Sequence, residues 1–462
     1  MATSPTAPAD VFDLVILGGG SGGYACALRA AQLGMQVALV EQDKLGGTCL
    51  HRGCIPTKAL LHAAEVADTA RHGAAIGVHT TLESIDLSRV LTYQRGVVGR
   101  LYKGLQGLVA AAGVTLIEGR GVLADAHTIR VGEREVRGRH TVLATGSRPK
   151  VLPGLTIGGR IVTSDEALQL TEVPDRVVVL GGGVIGVEFA SVFASFGAQV
   201  TVVEALPRLV PAEEPSISAA LERAFRKRKI TVRAGVRFAG ATQDEHGVRV
   251  SLEGADPIDA DLLLVAVGRG PVSDGLGYAE AGVTLDRGLV VTDERLRTSV
   301  ADVYAVGDLV PGLQLAHRGF AHGIFVAEEI AGLSPAPVRD ELIPKVTYCE
   351  PEIASVGLGE EAARAAYGDV TTYDYNLGGN GKSQILGTQG FVRLIRRVDG
   401  PVVGIHMIGA RVGEQIGEAQ LIVSWEAHPE DVATAIHAHP TQNEALGEAH
   451  LALAGKPLHA HA

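Results

Sequence analysis

Residues 12–41 read FDLVILGGGSGGYACALRAAQLGMQVALVE, and residues 176–204 repeat the plan as RVVVLGGGVIGVEFASVFASFGAQVTVVE. Each stretch is an apolar, β-branched run, a glycine turn, a small-residue segment, a further Gly and a second apolar run closing on Glu. Strands buried on both faces read as continuous apolar runs, so each stretch is expected to form a βαβ unit of a parallel sheet. The two begin about 160 residues apart, too far to be halves of one dinucleotide fold, and two separate nucleotide-binding domains are expected.

Working outward, residues 146–160 (GSRPKVLPGLTIGGR) are rich in Gly and Pro and read as the crossing from the first domain to the second. A similar break, GRGPVSDGLG at 268–277, follows the apolar run Leu262 to Val267 and should return the chain to the first domain. Strand-like runs at 391–396 and 402–407 and a helical stretch from Gly413 to Trp425 mark an α+β domain from about Val346 onward. The expected divisions are 1–150, 151–272, 273–345 (a return to the first domain) and 346–462.

The whole chain of 462 residues has 46% apolar and 20% charged residues, which excludes wholesale disorder, and 59 glycines, which demand frequent tight turns. No apolar run approaches the roughly 18 residues of a membrane span, so a soluble protein without a membrane role is expected. The opening MATSPTAPAD lacks a signal core or transit-type arginines and reads as a tail on a cytoplasmic protein. A net charge of −11 opposes nucleic-acid binding. Four cysteines make no disulfide framework in a chain this long, so any that matter should do redox or nucleophilic work.

In the first glycine turn, Gly18, Gly20 and Gly23 have G-x-G-x-x-G spacing, with Glu41 at 23 positions after Gly18. Backbone N–H groups at a helix start can meet a pyrophosphate, and an acid closing the second strand can accept ribose hydroxyls. Gly181, Gly183, Gly186 and Glu204 repeat this at the same 23-residue distance. A carboxylate there repels a 2′-phosphate, so NAD is expected over NADP, with Arg208 the counter-signal.

In GGTCLHRGCIPTK (46–58), five positions separate Cys49 from Cys54. Such an offset rises about 7.5 Å along a regular helix, beyond the roughly 7 Å limit for a disulfide. The pair can bridge only if the helix is distorted, which Gly53 and Pro56 permit. A strained bridge of this kind is easily reduced and suits catalysis. Lys58 lies one turn beyond Cys54, where its charge can stabilise a thiolate. VYAVGD at 303–308 ends a strand with Gly and Asp, where a carboxylate can accept a sugar hydroxyl. In IHAHPTQNEALGE (436–448) a His with a carboxylate five positions on can act as a base, if the loop turns at Pro440. Cys26 reads as a core residue and Cys349 as no metal ligand, so no metal site is expected. The basic run Arg223 to Lys229 reads as a solvated helix face, and His450, His459 and His461 as a flexible tail.

The ordered motifs GGGSGG, GGTCLHRGCIPTK, ATGSRP, GGGVIG, VYAVGD and HAHPTQNE resemble the pyridine nucleotide-disulfide oxidoreductases over nearly the whole chain. The branch they resemble reoxidises dihydrolipoyl groups of 2-oxo acid dehydrogenase complexes. The resemblance implies an α/β fold of two Rossmann-like nucleotide-binding domains plus an α+β C-terminal dimerisation domain. It implies FAD on Gly18, Gly20, Gly23 and Glu41, with Asp308 on its ribityl chain, and NAD on Gly181, Gly183, Gly186 and Glu204. Thr145, Gly146 and Gly268 join the cofactor-binding positions. Cys49 becomes the interchange thiol, Cys54 the thiol beside the flavin, Lys58 the partner of Glu188, and His439 the base oriented by Glu444. A homodimer is implied, with His439 reaching Cys49 of the other subunit, and so are lipoyl domains and an acyltransferase core as partners. Reduction of a low-molecular-weight disulfide such as glutathione or mycothione by a nicotinamide is the alternative activity. Val272, His322 and Cys349 depart from the common Asn, Glu and Thr, and Arg52 adds a charge between the cysteines.

Overall fold

The computed structural model describes residues 11–459, so the opening tail and His461 lie outside the described residues. The chain forms two compact units.

The first comprises the chain up to Ala59, Thr92–Lys150 and Arg269–Asp340. Its sheet places Val11–Leu17 between Val37–Glu41 and Arg134–Leu143, all parallel, with Thr115–Glu118 beyond Val37–Glu41 and Val303–Ala305 parallel to Arg134–Leu143. Leu14, Val15, Ile16, Ala38 and Leu39 are all fully buried, as continuous apolar strands require. Leu17 pairs with Leu143, and Leu143 with Ala305, so three strands end level. The segments following them, from Gly18, Ala144 and Val306, therefore emerge at one carboxyl edge, where open α/β sheets bind ligands.

Helix Ser21–Gln32 packs on helix Ala316–Ile330. The approach is close because it meets no side chain: a Cβ on Gly323 would lie 2.3 Å from the Gly22 carbonyl oxygen and 2.7 Å from the Cys26 nitrogen. Cys26 is fully buried there. Of the two Gly/Pro-rich breaks, Ser147–Pro149 pairs antiparallel with Arg269–Pro271, so the outgoing and returning chain brace one another.

The second unit comprises Leu60–Leu91, Val151–Gly268 and the chain from Glu341. Its parallel sheet runs Thr231–Ala234, Gln199–Glu204, Arg176–Leu180, Leu262–Val265, Ile161–Thr163, and Leu180 pairs with both Val203 and Val265. The apolar run read as extending to Val267 leaves the strand after Val265. The C-terminal part is an antiparallel sheet, Lys345–Thr347, Glu352–Gly357, Val402–Gly409, Phe391–Arg397, Val370–Asn376, covered by helices Val412–Ser424 and Glu444–Leu453. Buried Ile405, Met407, Val412, Ala419, Leu446 and Ala449 share its core. The fold is thus α/β with two nucleotide-binding-type sheets, the second parallel and the first parallel except at Gly121–Asp125 and Thr128–Val131, which add antiparallel beside Arg134–Leu143, and with an α+β C-terminal part. Among the described residues no helix is long and apolar enough to cross a membrane.

Two readings need correction. His450 and His459 are no flexible tail: His450 is fully buried in the last helix, and His459 binds the carboxylate of Glu448 at 2.9 Å. Of the basic run, Arg223, Arg226, Lys227 and Lys229 are exposed, but Arg228 turns inward to Ser195 at 2.6 Å and Asp68 at 3.1 Å. Ion pairing across elements is invisible to a charge-run reading.

Candidate active site

The two glycine turns are built alike. Gly18 and Gly181 have positive φ (107° and 111°), and a Cβ on them would lie 2.4 Å from the Ala144 and 2.3 Å from the Ala266 carbonyl oxygen. The third glycines, Gly23 and Gly186, bring helix onto strand, since a Cβ would lie 1.8 and 1.9 Å from the oxygens of Gly18 and Gly181. The middle glycines differ in kind. A Cβ on Gly20 would meet nothing nearer than 4.0 Å, and one on Gly183 nothing within that distance. Both are N-caps of helices without a side-chain cap, so open space faces helix N–H groups, the fit a pyrophosphate needs. Glu41 accepts from the Gly19 and Asp43 N–H groups at 2.7 and 2.8 Å; Glu204 accepts from Gly182 and Leu206 at 2.6 and 2.7 Å. A carboxylate has about four acceptor positions, so each keeps capacity for ribose hydroxyls. Arg208, which argued for a 2′-phosphate, donates to the carbonyls of Pro211 and Glu213 at 2.8 and 3.2 Å.

Helix Gly47–Arg52 stops at Gly53 and a new helix, Cys54–His72, starts at once. A Cβ on Gly53 would lie 3.1 Å from the Thr48 carbonyl, so the break is shaped to a residue without one. Across it the Cys49 and Cys54 side chains hydrogen-bond to each other. That hydrogen bond, burial and the neighbouring sulfur hold the Cys49 thiol far above its ordinary range, Asp308 adds to the rise, and Lys58 opposes it. Thus Cys49, Cys54, Lys58 and Asp308 act on one another within the first unit. Tyr24 joins them, its hydroxyl pushed up to about 12 by burial and by the two sulfurs. Arg52 points away, pairing with Asp43 at 2.7 Å while half-exposed.

Sequence reading missed the residues that hold this cluster. Ser147 donates to Asp308 at 2.6 Å, and Arg269 donates to the Ser147 hydroxyl and carbonyl at 2.8 and 2.7 Å and to Thr48, beside Cys49, at 3.3 Å. Gly307, before Asp308, is held from one helix face: His322 Nδ1 accepts from its N–H at 3.3 Å and Arg318 donates to its carbonyl at 3.4 Å. His322, a departure from the common Glu, is therefore a buried neutral imidazole, pushed down to about 4 mainly by burial. Thr145 donates to the Val272 carbonyl at 2.6 Å and Val272 N–H to Gly146 at 2.9 Å, so position 272 works through its backbone. Gly268, with φ 100°, follows the strand opposite Gly181 in the second unit.

Glu188 is buried in the second unit and accepts from the Tyr348 N–H at 3.0 Å. Cys349 is buried and donates to the Pro351 carbonyl. His439 and Glu444 do pair, at 2.8 Å from Nδ1, and Glu444 also accepts the Thr441 N–H at 2.7 Å. His439 is 75% exposed, which leaves its Nε2 edge accessible. Among the described residues no group of three or more His, Cys, Asp or Glu is placed to hold a metal ion.

The family model for pyridine nucleotide-disulphide oxidoreductases matches residues 12–323, and that for their dimerisation domain matches 343–450. The chain belongs to this family. As a pyridine nucleotide-disulphide oxidoreductase it is an enzyme that works with FAD and NAD, and its dimerisation domain makes it a homodimer. It is 42% identical over 450 residues to dihydrolipoyl dehydrogenase of Chlorobaculum parvum, covering 95% of this chain and 96% of that one. With the dihydrolipoyl dehydrogenase of Bacillus subtilis it shares 39% identity over 469 residues, covering 97% and 99%. Among solved structures, LpdA from Mycobacterium tuberculosis superimposes with a TM-score of 0.89 at 26% identity, covering 95% of this chain and 99% of that one. A HOCl-induced flavoprotein disulfide reductase from Escherichia coli, RclA, superimposes at 0.87 with 28% identity, covering 96% and 100%.

Proposed function

We propose that the enzyme reoxidises dihydrolipoyl groups of 2-oxo acid dehydrogenase complexes in the cytoplasm, with lipoyl domains and an acyltransferase core as partners. The observation that carries this reading is the Cys49–Cys54 contact across the Gly53 break, in the same unit as the first glycine turn. Residues 1–150 and 273–345 form the FAD-binding domain, with Gly18, Gly20, Gly23, Glu41, Thr145, Gly146 and Asp308 on the cofactor. Residues 151–272 hold NAD through Gly181, Gly183, Gly186, Glu204 and Gly268, and residues 346–462 form the subunit interface.

His439, held by Glu444, takes a proton from one dihydrolipoyl thiol and is presented to Cys49 of the other subunit. The thiolate attacks Cys49 Sγ of the oxidised pair, the Cys49–Cys54 bond breaks, and Cys54 leaves as a thiolate that Lys58 stabilises. The second substrate thiol displaces Cys49 from the mixed disulfide, releasing the cyclic disulfide and leaving two electrons on the cysteine pair. FAD held at the first glycine turn would supply the chemistry that carries those two electrons on to NAD⁺ as a hydride. Glu204 favours NAD⁺, since its carboxylate repels a 2′-phosphate.

Anaerobic titration with dihydrolipoamide should raise a long-wavelength thiolate-to-flavin band, followed by turnover with NAD⁺ well above that with NADP⁺. His439→Gln should lower turnover about 10²-fold while FAD stays bound. Turnover only with glutathione-type disulfides would overturn the substrate, and an unaffected His439→Gln would remove the base.

A further inference from the structure

The proposed base stands in an exposed loop, and exposure alone leaves a side chain free to wander. His439 is 75% exposed, whereas the side chain of His437, two positions earlier, is 13% exposed. Both limbs of this loop run back to one carboxylate. Glu418, on helix Val412–Ser424, accepts from His437 Nε2 at 2.7 Å through Oε1 and from Asn443 Nδ2 at 2.6 Å through Oε2. Position 437 lies two before His439 and position 443 immediately precedes Glu444, so one bond ties the chain beside each member of the His439–Glu444 pair.

The opposite face of the His437 ring is closed by Gly447, one turn into the helix that Glu444 begins. A Cβ there would lie 2.5 Å from His437 Nδ1. Burial pushes Glu418 up, but its bonds to His437 and Asn443 overcome that and hold it below its ordinary range, while the bond from Glu418 raises His437. A hydrogen bond to an ionised carboxylate is roughly twice as strong as a neutral one. The middle of the loop has ties of its own: Asn380 donates to the Thr441 carbonyl at 3.1 Å and Gln442 to that of Ala410 at 2.8 Å. Thr441 Oγ1 also donates to the Ala438 carbonyl at 2.7 Å, so the limb that carries His439 is tied within the loop at Ala438 and to the helix Val412–Ser424 through His437.

We propose that Glu418 is a positioning residue that clasps both limbs of the 437–443 loop and so fixes His439 for proton transfer; this rests on the reading of His439 as the base. Errors of about 1 Å in such a group cost up to 10²-fold in rate.

The test uses the holoenzyme and two assays: dihydrolipoamide oxidation by NAD⁺, and reduction of an artificial quinone by NADH, which uses both nucleotide loops without proton transfer at His439. Glu418→Ala should lower kcat for dihydrolipoamide about tenfold with the KM for NAD⁺ and the quinone rate within about twofold of wild type. Glu418→Gln, able to keep a bond to each limb once the Asn443 amide turns over, should recover most of the loss. Gly447→Ala, which favours the helix but pushes the His437 ring off Glu418, should reproduce the loss, and the double variant should be no slower than the slower single one. An active wild type with an unimpaired Glu418→Ala, a quinone rate falling in parallel, or losses that multiply in the double variant would overturn the clasp. A wild type without dihydrolipoamide turnover would instead overturn the underlying reading.

Discussion

At the scale of single residues, the acids closing the two second strands do more than their spacing announced. Glu204 was legible as a ribose acceptor because helix start, strand end and acid are linked by local chain geometry. Its structural duty was not, since it depends on where the Gly182 and Leu206 N–H groups point. That duty makes a prediction that ligand binding alone would not. Glutamine has one acceptor oxygen, so Glu204→Gln sets an N–H donor against one of the two loop donors at a 9% exposed site. An unsatisfied buried donor costs about 1–3 kcal/mol, so the melting temperature should fall even without nucleotide, and the KM for NAD⁺ should rise as well. Calorimetry of the protein free of NAD⁺ checks this; an unchanged melting temperature would confine Glu204 to ligand contact.

Elements divide by how local their causes are. Both βαβ units, the return at VYAVGD and the alternation of the C-terminal strands could be read because strand, turn and helix signals lie within some thirty residues of each other. The 25-residue helix Leu87–Ala111 could not, for it carries Gly96, Gly99, Gly104 and Gly107, which disfavour a helix interior, and it buries Leu105 and Val109 in the first unit's core. Nor could the pairing of Ser21–Gln32 with Ala316–Ile330, whose partners lie about 300 positions apart, although it sets the edge from which Gly20 and Asp308 work. Its basis is backbone against backbone: the atoms a Gly323 side chain would strike, the Gly22 oxygen and Cys26 nitrogen, cannot rotate away. Gly323→Ala should therefore force the helices apart despite alanine's better helix propensity. An overpacking cost of about 1–3 kcal/mol is expected, seen as a lower melting temperature and loss of FAD on gel filtration. A stable, fully yellow variant would show that the two helices can slide at no cost.

Across the whole molecule, the site residues that composition and spacing could nominate are those with a motif around them, while their holders are dispersed. Arg269, Ser147 and Thr48 come from three segments of the first unit, and Glu418 and His437 from two elements of the second. The same dispersion governs acid stability. His322 in the first unit and His450 in the second are buried and pushed down to about 4, chiefly by burial. His450 Nδ1 donates to the Leu446 carbonyl at 2.7 Å, so Nε2, which has no partner among the described residues, would have to receive the added proton. An unfolded chain binds that proton below pH about 6.5, so more protons are bound unfolded than folded as pH falls from there toward 4. Stability is then lost on acidification, by up to about 3 kcal/mol for each such histidine. His437, raised by Glu418, carries the opposite sign and gains stability as pH falls, so the total change in melting temperature mixes terms. The difference for one residue does not. His450→Met keeps the bulk and removes the titration, and the drop in melting temperature between pH 7 and pH 5 should shrink relative to wild type; an equal drop in both proteins would mean that His450 reaches solvent before the fold gives way.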